Sequence, residues 1–224
     1  MPIAEINRIR NIYFGGCKLI YYHGTMEDLN ELNAVSKDHA DAQNSVVYLT
    51  PNRAYSLFYI RDREINWVTC GVREDGVIRY DERFPDQLKT IYQGVSGYIY
   101  TCEDNGSFVA SKTRDILTCN QPVIIKRKEF MPNVYEELLK YEQSGAVSVR
   151  RYDSLSENEK QAVFEMMVHS IFKNDWVNST NKKAVFFKVH FPEAWEYVKT
   201  HPEHRQTVLD AWAEKMEALK KAIN

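Results

Sequence analysis

A histidine, a glycine and a threonine, His23-Gly24-Thr25, close the apolar run Leu19-Ile20-Tyr21-Tyr22. At such a strand end an imidazole can project from the sheet edge, and Gly24 lets a ligand approach the backbone closely. Farther along, Val47-Tyr48-Leu49-Thr50 runs into Ala54-Tyr55-Ser56-Leu57-Phe58-Tyr59, which sets a serine eight residues and a second tyrosine eleven residues after Tyr48. A third polar element, Asn120-Gln121, stands just before the apolar stretch Pro122-Val123-Ile124-Ile125. The chain carries 14 tyrosines against 10 phenylalanines and 4 tryptophans, a surplus that suits a core, an interface or a stacking platform.

Other reactive side chains have plainer readings. Cys17 lies six residues before His23, but nothing near the pair supplies an orienting acid for a thiolate nucleophile. Cys70, Cys102 and Cys119 flank strand patterns and read as small buried apolar residues. His201 and His204 stand at a spacing that metal ligands use, yet no acidic or thiol partner accompanies them, so a solvated helix start is the better reading. Lys126-Arg127-Lys128 and Arg150-Arg151 could touch phosphate, and read first as solvated charge. Trp176, Trp195 and Trp212 read as core anchors. The nucleotide-binding Gly-x-Gly-x-x-Gly, the Walker A loop, His-Glu-x-x-His and Gly-x-Ser-x-Gly are all missing.

The elements that must position these residues change type along the chain. Strand patterns cover 18–23, 45–50, 64–70, 97–102 and 122–125, with a hairpin turn at Glu74-Asp75-Gly76. Residues 51–61 interrupt them with a short helix, Pro51 suiting its first turn. Beyond about 130 the spacing predicts helices over 132–141 and 161–172, the latter behind a capping box at Ser156 and Glu159. Thr200-His201-Pro202-Glu203 is a second capping-box candidate, and 146–149 is one more possible strand. A soft boundary therefore separates residues 1–130 from a mainly helical 131–224 packed on them.

Composition narrows the class. With 224 residues, 44% hydrophobic and 27% charged, the chain has the make-up of a folded domain. A formal charge of −2 gives no long-range field favouring nucleic acid or anionic lipid. No apolar run approaches the ~18 residues of a membrane span, no secretory signal is visible, and four dispersed cysteines suit a reducing compartment, so a cytoplasmic location is expected.

The constellation of His23-Gly24-Thr25, Tyr48, Ser56, Tyr59 and Gln121 resembles the ADP-ribosyltransferase superfamily, specifically its poly(ADP-ribose) polymerase and diphtheria toxin branch. In that branch a His-Gly-Ser/Thr on an early strand precedes an Ile-Tyr-Phe strand and a short helix with Ser-x-x-Tyr at this spacing. The resemblance is one of order and spacing and spans roughly residues 18–130. It implies an α+β fold: a split β-sheet core over 1–130 that binds NAD, with 131–224 as a helical C-terminal part. It implies that His23 bonds a ribose hydroxyl, and that the Gly24 backbone and Ser56 hydroxyl hold the nicotinamide carboxamide. Thr25 completes the binding motif, and Tyr48 and Tyr59 sandwich the ring, a cation–π arrangement of about 0.5–2 kcal/mol.

The departure from the family is Gln121, where a glutamate is common. A neutral amide still accepts the ribose hydroxyl but offsets less charge as the C1′ bond breaks, which costs about one to two orders of magnitude in rate. Glu103 and Glu129 are the alternative carboxylates. The implied activity is NAD-dependent mono-ADP-ribosyl transfer, a pentosyl-transferring glycosyltransferase reaction, without a metal. Its acceptor is open: a protein, a nucleic acid or a small molecule, with no membrane partner. Two other readings stand beside it. A catalytically silent module of the same fold would bind NAD, ADP-ribose or a protein partner. An RNA 2′-phosphotransferase would need phosphate-binding arginines, of which only Arg53 and Arg61 lie near the motif.

Overall fold

The computed structural model describes residues 19–34, 45–62, 70–104 and 106–223. Cys17 and most of the 64–70 strand pattern lie outside these residues. In chain order the strands are β1 (Ile20–Thr25), β2 (Val47–Leu49), β3 (Cys70–Val72), β4 (Ile78–Asp81), β5 (Gly97–Glu103), β6 (Val109–Ala110), β7 (Leu117–Cys119), β8 (Ile125–Met131) and β9 (Val147–Arg150). The helices are α1 (Arg53–Leu57), α2 (Gln87–Tyr92), α3 (Val134–Gln143), α4 (Glu157–Asn174), α5 (Lys182–His190), α6 (Pro192–Thr200) and α7 (Arg205–Ile223). The protein is of mixed α+β class, its described strands forming three small sheets.

Side-chain alternation explains how the sheets stack. β1 pairs antiparallel with β5, and β5 with β8; a second sheet has the order β2-β7-β6. Tyr21 faces a core shared with Val47, Leu49, Tyr100, Cys102 and Cys119, so the two sheets close on one another. Its neighbour Tyr22 turns to the opposite face and packs on a second core of α1, α2, α3 and the third sheet, built around Phe58, Tyr80, Leu88, Tyr92 and Leu138. That third sheet is the β3–β4 hairpin, with Gly76 at φ 82° in its turn, joined in parallel by β9. The possible strand at 146–149 is thus an internal partner of β4.

Helices α4, α5 and α6 enclose a third core of Met167, Ile171, Trp176, Phe187 and Trp195, which Phe84 joins from the N-terminal side. The expected capping box forms: Ser156 Oγ accepts from Glu159 N while the Glu159 carboxylate accepts from Ser156 N at 3.0 Å. The second candidate does not. Thr200 ends α6, and its hydroxyl donates back to the Glu196 carbonyl at 2.8 Å, with a 3-10 turn over Pro202–His204 before α7. The late strand also starts later than its apolar pattern predicts. Val123 makes only an isolated bridge to Leu32, and regular pairing begins at Ile125. Among the described residues no helix is long and apolar enough to cross a membrane.

Candidate functional site

β1 and β2 touch through one backbone pair. Tyr22 and Thr50 exchange hydrogen bonds of 2.8 and 3.0 Å, and no further β1–β2 backbone pair forms among the described residues. Beyond this bridge the strands part, and the His23 ring reaches across, its Nδ1 lying 2.8 Å from the Tyr48 carbonyl oxygen. A carbonyl only accepts, so Nδ1 carries a proton and donates it to this bond. Strand alternation turns the Gly24 N–H and C=O toward the same edge as those of Tyr22, the edge where β2 has left.

On the other face, α1 presses against β1. Its N-cap Asn52 accepts from Tyr55 N at 3.3 Å, and Ala54, Tyr55, Ser56 and Leu57 are all buried. The fit at Gly24 is close: a Cβ there would stand 2.0 Å from the Ser56 carbonyl oxygen. That same oxygen accepts from Tyr59 N at 3.2 Å, so the seat of Gly24 sets the turn that carries Tyr59. Tyr59 is 37% exposed and meets Tyr55 edge-on, ring centroids 5.7 Å apart. Burial raises its hydroxyl pKa, with Cys70 and Tyr48 adding to the rise and the Tyr55 hydrogen bond and the Arg61 charge opposing it. Tyr48 packs half-buried against this same cluster. His23, Gly24, Tyr48, Ser56 and Tyr59 are therefore neighbours at one strand edge, with the imidazole on the Tyr21 face and the others on the α1 face.

Three expected contacts are less direct. The Ser56 side chain is fully buried and donates to the Arg53 carbonyl at 2.7 Å, a bond that leaves its oxygen free to act only as an acceptor. Thr25 is buried, and its hydroxyl accepts from Glu27 N at 3.2 Å, closing the turn after β1. Gln121 is exposed between β7 and β8, its backbone carbonyl within 3.4 Å of Cys119 Sγ. Of the alternative carboxylates, Glu129 pairs with Arg53 at 2.8 Å and Glu103 lies 3.6 Å from Lys126. The structure thus brings the His, Gly and Tyr elements together, with Gln121 exposed in the connection between β7 and β8.

Arg53 is the residue that motif reading passes over in this role. Its guanidinium meets Glu129 of β8 at 2.8 Å, the Tyr141 hydroxyl of α3 at 2.6 Å and Glu137 of α3 at 3.4 Å. Burial opposes the charge, but the Tyr141 and Glu129 contacts outweigh it and raise the Arg53 pKa. Its partners lie more than 70 residues away, so no local pattern could have revealed them.

The other candidate groups are engaged elsewhere. His201 stacks on Tyr197 at 4.7 Å, and His204 Nδ1 lies 2.8 Å from the Tyr197 hydroxyl. Lys128 pairs with Asp28, Arg150 with Glu159, and Arg151 with Glu142 at 2.7 Å. Trp212 stacks on His169 at 4.6 Å. A cavity of about 700 Å³ opens between Arg83-Phe84-Pro85 and helices α4 and α6, and includes none of the predicted site residues. Among the described residues no group of His, Cys, Asp and Glu is placed to hold a metal ion. No protein-family model, curated protein or solved structure matches the chain.

Proposed function

We propose that the protein is an NAD-dependent mono-ADP-ribosyltransferase with an ADP-ribosyltransferase-like split-sheet core. The observation that carries this reading is the parting of β1 from β2 after the Tyr22–Thr50 bridge, with His23 tethered to Tyr48 and Gly24 seated on Ser56 at the opening. A bent NAD suits an edge with two faces: a ribose hydroxyl bonds the His23 ring on one, and the nicotinamide enters on the other. There the carboxamide meets the Gly24 backbone, and the ring stacks on Tyr48 and Tyr59.

In the reaction the C1′–N1 bond breaks and its electron pair leaves with neutral nicotinamide. The ribosyl cation developing at C1′ is attacked by a nucleophile of the acceptor, which then gives up a proton. In this reading Gln121, just before β8, accepts a ribose hydroxyl hydrogen bond. A specific observation favours the silent module as the second reading: Gln121 is neutral and faces solvent, and Ser56 is sealed.

Calorimetric titration of NAD into the wild type and Tyr59→Ala tests the pocket. Tyr59→Ala should weaken binding by about 1–2 kcal/mol through lost stacking. Equal affinities for the two proteins would remove Tyr59, and with it the proposed nicotinamide subsite.

A further inference from the structure

We propose, on the basis of the NAD reading, that Arg53 is the positioning residue of the nicotinamide subsite. It locks α1 to β8 and α3 so that Ser56 and Tyr59 hold their places beside Gly24. Three observations combine. Arg53 is the first residue of a helix only five residues long, too short to hold its own shape in water. Its side chain makes charged or polar contacts to Glu129 of β8 and to Glu137 and Tyr141 of α3. Its carbonyl takes the Ser56 hydroxyl at 2.7 Å, so the anchor is one bond from the residue whose own carbonyl seats Gly24 and holds Tyr59 N.

The planar fork matters here. Arg53 uses both terminal nitrogens, Nη2 toward Glu129 and Nη1 toward Tyr141 and Glu137, a division that a lysine ammonium, as a single point charge, reproduces only in part. A shift of α1 moves the Ser56 carbonyl, which touches Gly24 and holds Tyr59 N, so misplacement spreads to the whole ring-binding side. His23 lies on the opposite face of β1 and is tethered to β2, so its position does not depend on Arg53.

The test compares the wild type, Arg53→Lys and Arg53→Met by amide hydrogen exchange over 53–61 and by the KM and kcat of nicotinamide release, with Leu138→Ala as a control for lost packing in the same core. Arg53→Met should speed exchange through α1 and raise KM for NAD about tenfold, Arg53→Lys should recover part of both, and Leu138→Ala should lower the melting point without raising KM. Unchanged exchange in Arg53→Met overturns the proposal. So does a KM that rises equally in Leu138→Ala, since the effect would then be one of stability alone. A wild type that neither binds NAD nor releases nicotinamide sinks the NAD reading, and with it the ligand half of this proposal. The exchange comparison would still decide whether Arg53 positions α1.

Discussion

At the scale of single residues, Gly24 bears the most constraint. A methyl group at this position would stand 2.0 Å from a backbone oxygen, which a neighbour cannot yield as a flexible side chain would. Gly24→Ala should therefore destabilise the fold by about 1–3 kcal/mol and displace Tyr59; a denaturant midpoint equal to that of the wild type would refute the close seat. His23 differs, because its half-buried ring makes one described backbone contact across an opening. His23→Ala should weaken NAD binding by about 1 kcal/mol or more, the contribution of a lost ribose hydrogen bond; affinity equal to that of the wild type would contradict the ribose role. The residues on this edge were legible because their chemistry is local: a His-Gly step ending a strand and a serine and tyrosine one helical turn apart. Arg53 was not, since its function depends on partners in β8 and α3 that only folding brings together. The orientation of Gln121 was hidden for a related reason. Pro122 and the isolated Val123 bridge delay the strand, so the residue falls in the connection between β7 and β8.

At the scale of elements, sequence pattern located β1, β2, β5, α3 and α4 well, because alternation and helical spacing are carried by consecutive residues. The capping box of α4 is an example of a signal with a definite mechanism, and the second candidate shows its limit. Ser156 faces free amides, whereas Thr200 sits at the end of an existing helix and satisfies its hydroxyl behind it. α2 gave no such signal. Its N-cap Asp86 has a left-handed φ of 55° and no side-chain cap bond; instead Glu82, buried at 3%, accepts from Leu88 N at 3.1 Å and from Tyr152 N at 3.2 Å. One carboxylate thus caps α2 and ties it to the turn after β9. Glu82→Ala should cost on the order of 2–3 kcal/mol in urea unfolding, since charged hydrogen bonds to one buried and one partly buried amide are lost. A loss under about 0.5 kcal/mol, the level of an ordinary surface change, would show that the amides find other acceptors.

At the scale of the whole molecule, two adjoining cores support the site edge from both faces, and a third holds the helices α4 to α6. The burial of these cores has a titration consequence. Burial pushes the Cys70 and Cys102 thiols up to about 12 from an ordinary 9. A thiol held neutral in the folded state stabilises fully below its unfolded pKa, and the contribution is lost as the pH rises toward the folded value. Melting temperature should accordingly be flat from neutral pH to about 9 and fall above it, with on the order of 2 kcal/mol lost by about pH 10. A melting curve insensitive to alkali would mean that these thiols are not shielded.

The most direct test of the transferase reading is nicotinamide release, followed by chromatography, from NAD incubated with the wild type and with His23→Ala. Saturable release by the wild type, absent from His23→Ala, is the predicted result. Release no faster from the wild type than from buffer would contradict it.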